Sequence, residues 1–461
     1  MFYIGRQDLK NFILRKENPT LKSFITEYQH IITKTNCSNS WHELKRLWTK
    51  RYKALVTENR PALLAHIKKL CKVNSDLWID AYDKVTERSA IKIKLLEWCK
   101  DAFKGEPITV DIATIESEID AMKEDPSLVD ELSIMSLNML KIFNDLNTIE
   151  KHVLKLVVSD IVNIRNEDYL AVLSSHLKPE TMRKLKDVGI DDSLDEDTKK
   201  KIKQEFDEGI KAIKDNGLAK QGRSAAGIGP QVGNVLNFLV NKIDTWKKRM
   251  KKVDPEHSAD GSSTTKKRKL DLSENDILQV VKEVLETIFA DTDLFWVSGE
   301  KTSLATKKSK IENGTLSRSS NKSNIVGRKS DLLLLNEDET VLCAAEMKDG
   351  CSNNSSSQES KSCRITKCIR QYNSMIAGGK TCVGMDWNGF QGYVYYCKAY
   401  EGIDLVLGFK QLLLPVTIEE LELFGETLLA LYEMKTFLVE YSCSLGSSFV
   451  DADDSAVYHS A

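Results

Sequence analysis

Apolar residues recur at intervals of three and four through most of the first 250 positions, which predicts a succession of amphipathic helices. Leu9, Phe12 and Ile13 show this spacing near the start, and residues 149–164 show it most clearly. Asn234–Lys252 is the last helix of the series and ends in a basic run. We therefore expect a helical region over residues 1–252, with a further division near residue 105 left open.

The pattern changes after a polar stretch at residues 253–272, which we interpret as a flexible basic linker. Ser273 and Asp276 form a capping-box pair that opens a predicted helix to about Ala290. A second helix is predicted over Lys361–Ile376 and a third from Thr417. Short alternating runs between them predict strands: Leu294–Val297, Leu332–Leu335, Val341–Ala345, Thr381–Asp386, Gln391–Tyr400 and Ile403–Leu414.

These elements predict the fold class. We expect an α-helical N-terminal region followed by a C-terminal α+β domain over residues 273–440, with a small mixed sheet flanked by helices. Residues 441–461 are small and polar at their end and are predicted to be a disordered tail.

The stretch from Gly327 to Lys348 has the pattern of a β-hairpin, because two apolar runs flank an acidic polar turn. Folding it symmetrically about its turn brings Asp331 opposite Glu346. Since strand side chains alternate between faces, Glu346 and Lys348 point the same way. Two carboxylates and a lysine are thus predicted to meet at one end of the hairpin.

This set suits metal-assisted phosphodiester chemistry. Asp331 and Glu346 could hold Mg²⁺ or Mn²⁺, which is commonly bound through one or two carboxylates and keeps several waters. Such a metal acidifies a bound water and offsets charge on the phosphate. Lys348 would orient that water or stabilise the transition state. The alternative is a surface hairpin whose charges merely favour strand ends.

The same residues resemble the core of the PD-(D/E)XK nuclease-like superfamily, in which an Asp and an E-x-K triplet follow one another on a hairpin. The segments GEKTS, GRKSDLLL, CAAEMK, KSCRITKCI and DWNGFQGY also resemble a family of uncharacterised fungal proteins associated with genome-encoded repeats. The resemblance covers roughly residues 276–440 and implies a restriction-endonuclease-like fold with Asp331, Glu346 and Lys348 as catalytic residues. One departure is Ser330, where the superfamily pattern has Pro.

The resemblance also implies further site residues. A third acid would be Glu300, just after a predicted strand, or Glu283 on the first helix, although either could be a solvated glutamate. The helix after the hairpin would bring Arg364 and Gln371 to the phosphate or the attacking water. Lys361 falls along the same flank, and the alternative is a solvated basic surface.

Net charge is only −2 in 461 residues, but it is unevenly distributed. Residues 1–104 contain 21 Lys and Arg against 11 Asp and Glu, whereas residues 105–215 contain 15 against 25. The basic excess predicts contact with a polyanion, or else neutralisation between the two regions.

Lys266, Lys267, Arg268 and Lys269 form a basic run that resembles a nuclear-import signal, read by an import carrier; the alternative is a solvated run or a phosphate contact. It favours a nuclear location, otherwise the cytoplasm, and DNA as the nucleic acid. No apolar run approaches the roughly 18 residues of a membrane span. The ten cysteines and seven histidines lack zinc spacing.

The sequence as a whole therefore predicts a Mg²⁺-dependent nucleic-acid phosphodiesterase acting in the nucleus. Two alternatives stay open. One is a catalytically inactive nuclease fold that binds nucleic acid, and the other is a helical scaffold that binds protein partners. The oligomeric state is open as well.

Overall fold

A computed structural model describes eleven stretches of the chain: residues 6–32, 41–120, 126–190, 194–216, 227–251, 272–307, 309–310, 327–348, 350, 355–377 and 381–445. The predicted import signal, Lys266–Lys269, lies outside these residues, as do most of the predicted linker and the tail beyond residue 445.

The N-terminal region is helical, as its apolar periodicity predicts. Its α-helices, with a 3-10 helix at Pro61–His66 before the fifth, are α1 (Arg6–Arg15), α2 (Leu21–Glu27), α3 (Gln29–Ile32), α4 (Trp41–Asn59), α5 (Ile67–Leu70), α6 (Ser75–Lys104), α7 (Ile112–Asp120), α8 (Leu128–Lys141), α9 (Thr148–Val157), α10 (Glu167–His176), α11 (Pro179–Lys186), α12 (Glu196–Asn216) and α13 (Ile228–Lys251). Among the described helices, none has the length and apolar character needed to cross a bilayer.

A seven-stranded mixed sheet forms the centre of the rest. Its strands are β1 (Ile161–Asn163), β2 (Phe295–Thr302), β3 (Lys329–Leu335), β4 (Val341–Lys348), β5 (Thr381–Asn388), β6 (Gln391–Tyr400) and β7 (Ile403–Leu413). They lie in the order β1-β7-β6-β5-β4-β3-β2. The β1–β7 and β4–β5 pairs are parallel, and the other pairs are antiparallel. The mixed sheet is therefore confirmed, but it is larger than predicted.

Helices cover both faces of this sheet. They are α14 (Glu274–Phe289), α15 (Ser355–Ala377) and α16 (Phe424–Leu445), the last preceded by a 3-10 helix at Glu420–Leu423. The predicted capping box opens α14, since the Ser273 side chain accepts from the Asp276 amide and the Asp276 side chain accepts from the Ser273 amide. Leu332 and Ala345 belong to the hydrophobic cluster that contains the buried residues of α14. Leu333 and Ala344, the next residues along these strands, belong to the cluster that contains buried residues of α15. These two helices therefore lie on opposite faces of β3 and β4.

One strand comes from the helical region, where the sequence predicted a helix through residue 164. Helix α9 ends at Val157, and the backbone of Asp160 has a φ of 51°, which an α-helix does not accommodate. Ile161 and Val162 are β-branched and fully buried, as suits a strand, and Ile161 pairs with Asp404 at the edge of the sheet. The prediction of a helix over 158–164 is wrong for this reason.

The cores run across the predicted domain boundary. One cluster joins α12 and α13 to α14, α16 and one face of the sheet, and another joins α6–α11 to β6 and β7. A separate core over residues 9–82 is formed by α1–α6 alone. The next core begins at Ile91, so the division between the two helical cores lies within α6 and not near residue 105. The predicted boundary at 252 thus separates segments that share a core.

Buried ion pairs fix the helical region to the sheet. Asp404 of β7 accepts two hydrogen bonds from Arg370 of α15 and lies 3.2 Å from Nζ of the fully buried Lys367. Lys367 also donates to the carbonyl of Ser159, at 2.6 Å. The adjoining Asp160 pairs with Lys92 of α6. This network joins α6, the turn before β1, α15 and β7.

Two ion pairs also bear on the uneven charge. Lys92 and Lys94 of the basic N-terminal region pair with Asp160 and Glu118 of the acidic region. Neutralisation between the two regions, one of the two interpretations of the sequence, thus occurs in part.

Candidate functional site

The predicted hairpin forms with the predicted register near its open end. Leu332 pairs with Ala345 and Leu333 with Ala344, so the next rung sets Asp331 against Glu346. The Asp331 carboxylate accepts a hydrogen bond of 2.7 Å from the amide of Met347. A polar turn closes the other end, where Asn336 Oδ1 accepts from the Thr340 amide and Glu339 adopts a φ of 55°. The two predicted carboxylates therefore lie side by side on neighbouring strands.

A third acid, which the sequence analysis did not assign, extends this rung. β5 runs parallel to β4 with Glu346 paired to Asp386, so their side chains point to the same face. We call Asp331, Glu346 and Asp386 the carboxylate row. Its members come from three adjacent strands, on the face covered by α15.

Burial distinguishes the members of the row. Glu346 is 2% exposed and Asp386 is 1% exposed, whereas Asp331 is partly exposed. Burial raises the pKa of Glu346, and the Lys361 ammonium opposes this shift. Burial raises the pKa of Asp386 to about 8, against the influence of the Ser362 hydroxyl and the Arg165 guanidinium. Withdrawal from water penalises the charged form of both carboxyls.

Two side chains from α15 contact the row. Nζ of Lys361 pairs with Oε2 of Glu346, and the Lys361 side chain is 37% exposed. Gln358 donates, at 3.2 Å in each case, to the backbone carbonyls of Glu346 and Trp387. Gln358 precedes the predicted helix, which was expected to begin at Lys361, but α15 begins at Ser355. The helix therefore holds the ends of β4 and β5 together.

Several buried oxygen atoms at this place have no hydrogen-bond donor among the described residues. They are Oε1 of Glu346, Oε1 of Gln358, both carboxylate oxygens of Asp386 and Oδ1 of Asn388. Asn388 lies two residues beyond Asp386 on β5, on the same face. Buried polar atoms without partners are uncommon. The Ser330 hydroxyl is one donor beside Glu346, and the remaining acceptors call for a further donor or a cation.

The oxygen cluster fits a hard cation, because Mg²⁺ and Mn²⁺ prefer carboxylate and amide oxygens to nitrogen or sulfur. Glu346 and Asp386 would supply charged ligands, with Asp331 beside them. Within the described residues, no group of three or more His, Cys, Asp or Glu side chains is arranged to hold a metal ion. The fit thus rests on one or two carboxylates with neutral oxygens, as is usual for Mg²⁺.

Lys348 reaches outward from the row. Its Nζ lies 3.4 Å from Oε2 of Glu274 in the first turn of α14, and its side chain is 38% exposed. The first helix does bring an acid near the hairpin, but it is Glu274. The candidate Glu283 is exposed on α14, which packs on the opposite face of the sheet, so it does not join the row.

Glu300 lies at a register irregularity next to the row. Ser298 pairs with Leu332 and Lys301 with Ser330, so Gly299 and Glu300 together face Asp331 in a β-bulge. Gly299 has a φ of 102°, which favours glycine there. The backbone of Glu300 is thus beside Asp331, and its side chain lies outside the described residues.

The other two candidates on α15 do not join the row. Arg364 is buried, its Nε donates to the carbonyl of Ser360, and its charge acts on His152 and Lys155 of α9. Gln371 is also buried, nearly three helical turns beyond Lys361. Both side chains are buried, and their contact with phosphate stays a prediction.

A buried acid on α15 has a structural role. The Glu359 carboxylate accepts hydrogen bonds from Asn163, Arg165 and Asn166, which follow one another at the end of β1. These donors satisfy it fully, in contrast to Asp386. Glu359 therefore fixes the helical region to α15 beside the row.

Sequence signals existed for some of the missed residues. Asp386 stands in DWNGFQGY, one of the resembling segments, but its position beside Glu346 appears only when β5 pairs with β4.

Comparison of the chain with known proteins yields no match to any family model, curated protein or solved structure.

Proposed function

We propose that this protein is a metal-dependent phosphodiesterase acting on nucleic acid, with its site at the carboxylate row. One observation supports this most. Asp331, Glu346 and Asp386 share a rung on three adjacent strands, where buried carboxylate oxygens lack hydrogen-bond donors. The order of α14, the β3–β4 hairpin, α15 and β5 also supports it, because helix, hairpin, helix and strand follow one another in the PD-(D/E)XK fold that the sequence resembles.

The chemistry follows from the residues of the row. Mg²⁺ or Mn²⁺ held at this position would acidify a bound water and offset charge on the scissile phosphate. The carboxylates of the row would supply the ligand oxygens, and the backbone of Glu300 lies at the register position beside Asp331. Lys348 and Lys361 bring two ammonium groups to the same end of the sheet, where they stabilise charge on the phosphate.

Nucleic acid is the proposed substrate class, with DNA preferred. The two lysines at the row and the basic excess of residues 1–104 favour a polyanion. DNA is preferred over RNA because the Lys266–Lys269 run favours a nuclear location.

A second candidate function is nucleic-acid binding without cleavage. The contact between Lys361 and Glu346 favours it, because a lysine ammonium there already neutralises the carboxylate that a metal would need. In a cleaving enzyme, Lys361 must release Glu346 when the metal binds. In a binding protein, the pair persists and fixes the end of β4.

A cleavage assay with the full chain tests the proposal. Supercoiled plasmid, single-stranded DNA and RNA are incubated with Mg²⁺, Mn²⁺ or a chelator. We expect metal-dependent nicking of DNA that falls by about 100-fold or more in Asp331→Ala and in Lys348→Ala. Asp338→Ala, at an exposed acid of the same hairpin, is the matched control and should retain the wild-type rate.

The outcomes separate the two functions. Nicking that persists unchanged in both variants contradicts the proposed site. Absence of cleavage together with binding that weakens steeply as salt rises supports the second candidate. If the chain neither cleaves nor binds nucleic acid, both proposed functions are contradicted.

A further inference from the structure

Asp386 is the most deeply buried member of the carboxylate row, and neither of its oxygens has a donor in hydrogen-bond geometry among the described residues. The nearest hydroxyl, that of Ser362, lowers the pKa of its carboxyl without offsetting burial. A charged carboxylate buried in this position lowers the stability of the folded state unless it takes up a proton or binds a cation. Two other buried acids among the described residues, Asp404 and Glu359, are satisfied by protein donors. Asp404 has Arg370 and Lys367, and Glu359 has three donors beside β1. Asp386 differs from these two acids because its carboxylate oxygens lack such donors.

The groups that face Asp386 come from several elements. Glu346 is its partner on β4, and Tyr393 is its partner on β6. Ser362 of α15 and the Arg165 guanidinium, which lies over the Tyr393 ring, are close enough to affect its carboxyl. Arg165 itself is engaged by Glu359. Ser362 and Arg165 each have another hydrogen-bond partner, Tyr395 and Glu359, and neither oxygen of Asp386 has a donor in hydrogen-bond geometry among the described residues.

The oxygens nearest in the fold are also acceptors. Oε1 of Glu346 is buried without a donor, while its Oε2 is taken by Lys361. The Gln358 amide uses its nitrogen to bind two backbone carbonyls, which leaves its oxygen buried and unpaired. Two carboxylates and an amide oxygen are the ligand chemistry of a hard divalent cation, which would compete here with the Lys361 ammonium for Glu346.

We infer that Asp386 is a metal ligand of this protein and that the cation lies between Glu346 and Asp386 on the parallel strands, with the Gln358 amide oxygen as a neutral ligand. The inference rests on the proposed function and deepens it, because the sequence assigned the cation to Asp331 and Glu346. The site then lies farther under α15. Asp331, which is partly exposed and bonded to the Met347 amide, is left at its outer edge, towards solvent and substrate.

Thermal unfolding of the full chain with Mn²⁺, Mg²⁺ or a chelator tests the inference. A cation that binds only the folded state raises the unfolding midpoint. We expect a Mn²⁺-dependent rise in wild type that is lost in Asp386→Asn, with Mn²⁺ affinity at least about tenfold weaker. Without metal, Asp386→Asn should unfold at the same temperature as wild type or a higher one, because a neutral amide replaces a buried carboxyl.

Asp338→Asn is the matched control, since it makes the same change at an exposed turn position and should keep the full Mn²⁺ response. A response that persists in Asp386→Asn but disappears in Glu346→Gln overturns the inference and leaves the proposed function standing. A wild-type chain that shows no response to either metal contradicts the proposed function itself, and the inference with it.

Discussion

Replacing Glu346 with glutamine is expected to reduce metal-dependent cleavage by about a factor of 1,000, since a metal ligand contributes several kcal/mol of transition-state stabilisation. Glutamine keeps the size of the side chain and removes its charge. The remaining partner, Lys361, is 37% exposed and can be solvated, so the variant should fold. The measurement is the initial rate of plasmid nicking at saturating Mg²⁺, with circular dichroism to check the fold.

The matched control for this variant is Glu337→Gln in the exposed hairpin turn, which should cleave at the wild-type rate. If Glu346→Gln cleaves within threefold of wild type, the carboxylate does not serve the reaction. The site would then have to be sought elsewhere in the chain.

The largest effect on stability is expected for Asp404→Asn. This change leaves Lys367, which is fully buried, and Arg370 without their shared carboxylate. Removing one partner from a buried ion pair typically costs about 3–5 kcal/mol. Hydrogen exchange of the β6 and β7 amides should show a loss of protection of this size, because exchange reports local as well as global opening.

The same variant should change the response to acid. Burial alone would raise the pKa of Asp404, but Arg370 and Lys367 more than offset this and hold the pKa below its usual value. Its contribution to stability is therefore present above the unfolded-state pKa and is lost as pH falls. Asp404→Asn should lose less stability in acid than wild type does. A loss of protection below 1 kcal/mol, equal to that of Asp338→Asn, would contradict this account.

Local patterns predicted much of the C-terminal part because they act over short distances. The capping box at Ser273 and Asp276, the register of the β3–β4 hairpin and the strand Gln391–Tyr400 are found as the sequence predicts. Alternation and turn residues determine these features within a few positions. For the same reason, the side-by-side placement of Asp331 and Glu346 was predictable.

Long-range pairing explains what the sequence did not predict. β1 is short and follows an amphipathic helix, so its own residues give little indication of a strand. It becomes a strand by pairing with β7. Asp386 joins Glu346 through a parallel pair whose strands are separated by α15, and the register of such a pair has no local signal.

The residues of α15 show a third limit of the sequence, which did not predict their burial by the helical region. The resemblance implied that Arg364 and Gln371 contact phosphate, but both side chains are buried, and Arg364 lies against helix α9. The helical region was taken as a separate domain, so its packing on α15 could not enter the prediction. Among the three predicted α15 residues, Lys361 near the start of the helix is the one whose contact with the row the structure shows.

The central claim is that the row of carboxylates binds a divalent cation. Calorimetric titration of Mn²⁺ into the full chain, and into the double variant Glu346→Gln with Asp386→Asn, tests it directly. The account predicts saturable binding at one site in wild type and its loss in the double variant. An absence of binding heat in wild type at millimolar Mn²⁺, or an unchanged isotherm in the double variant, would contradict it.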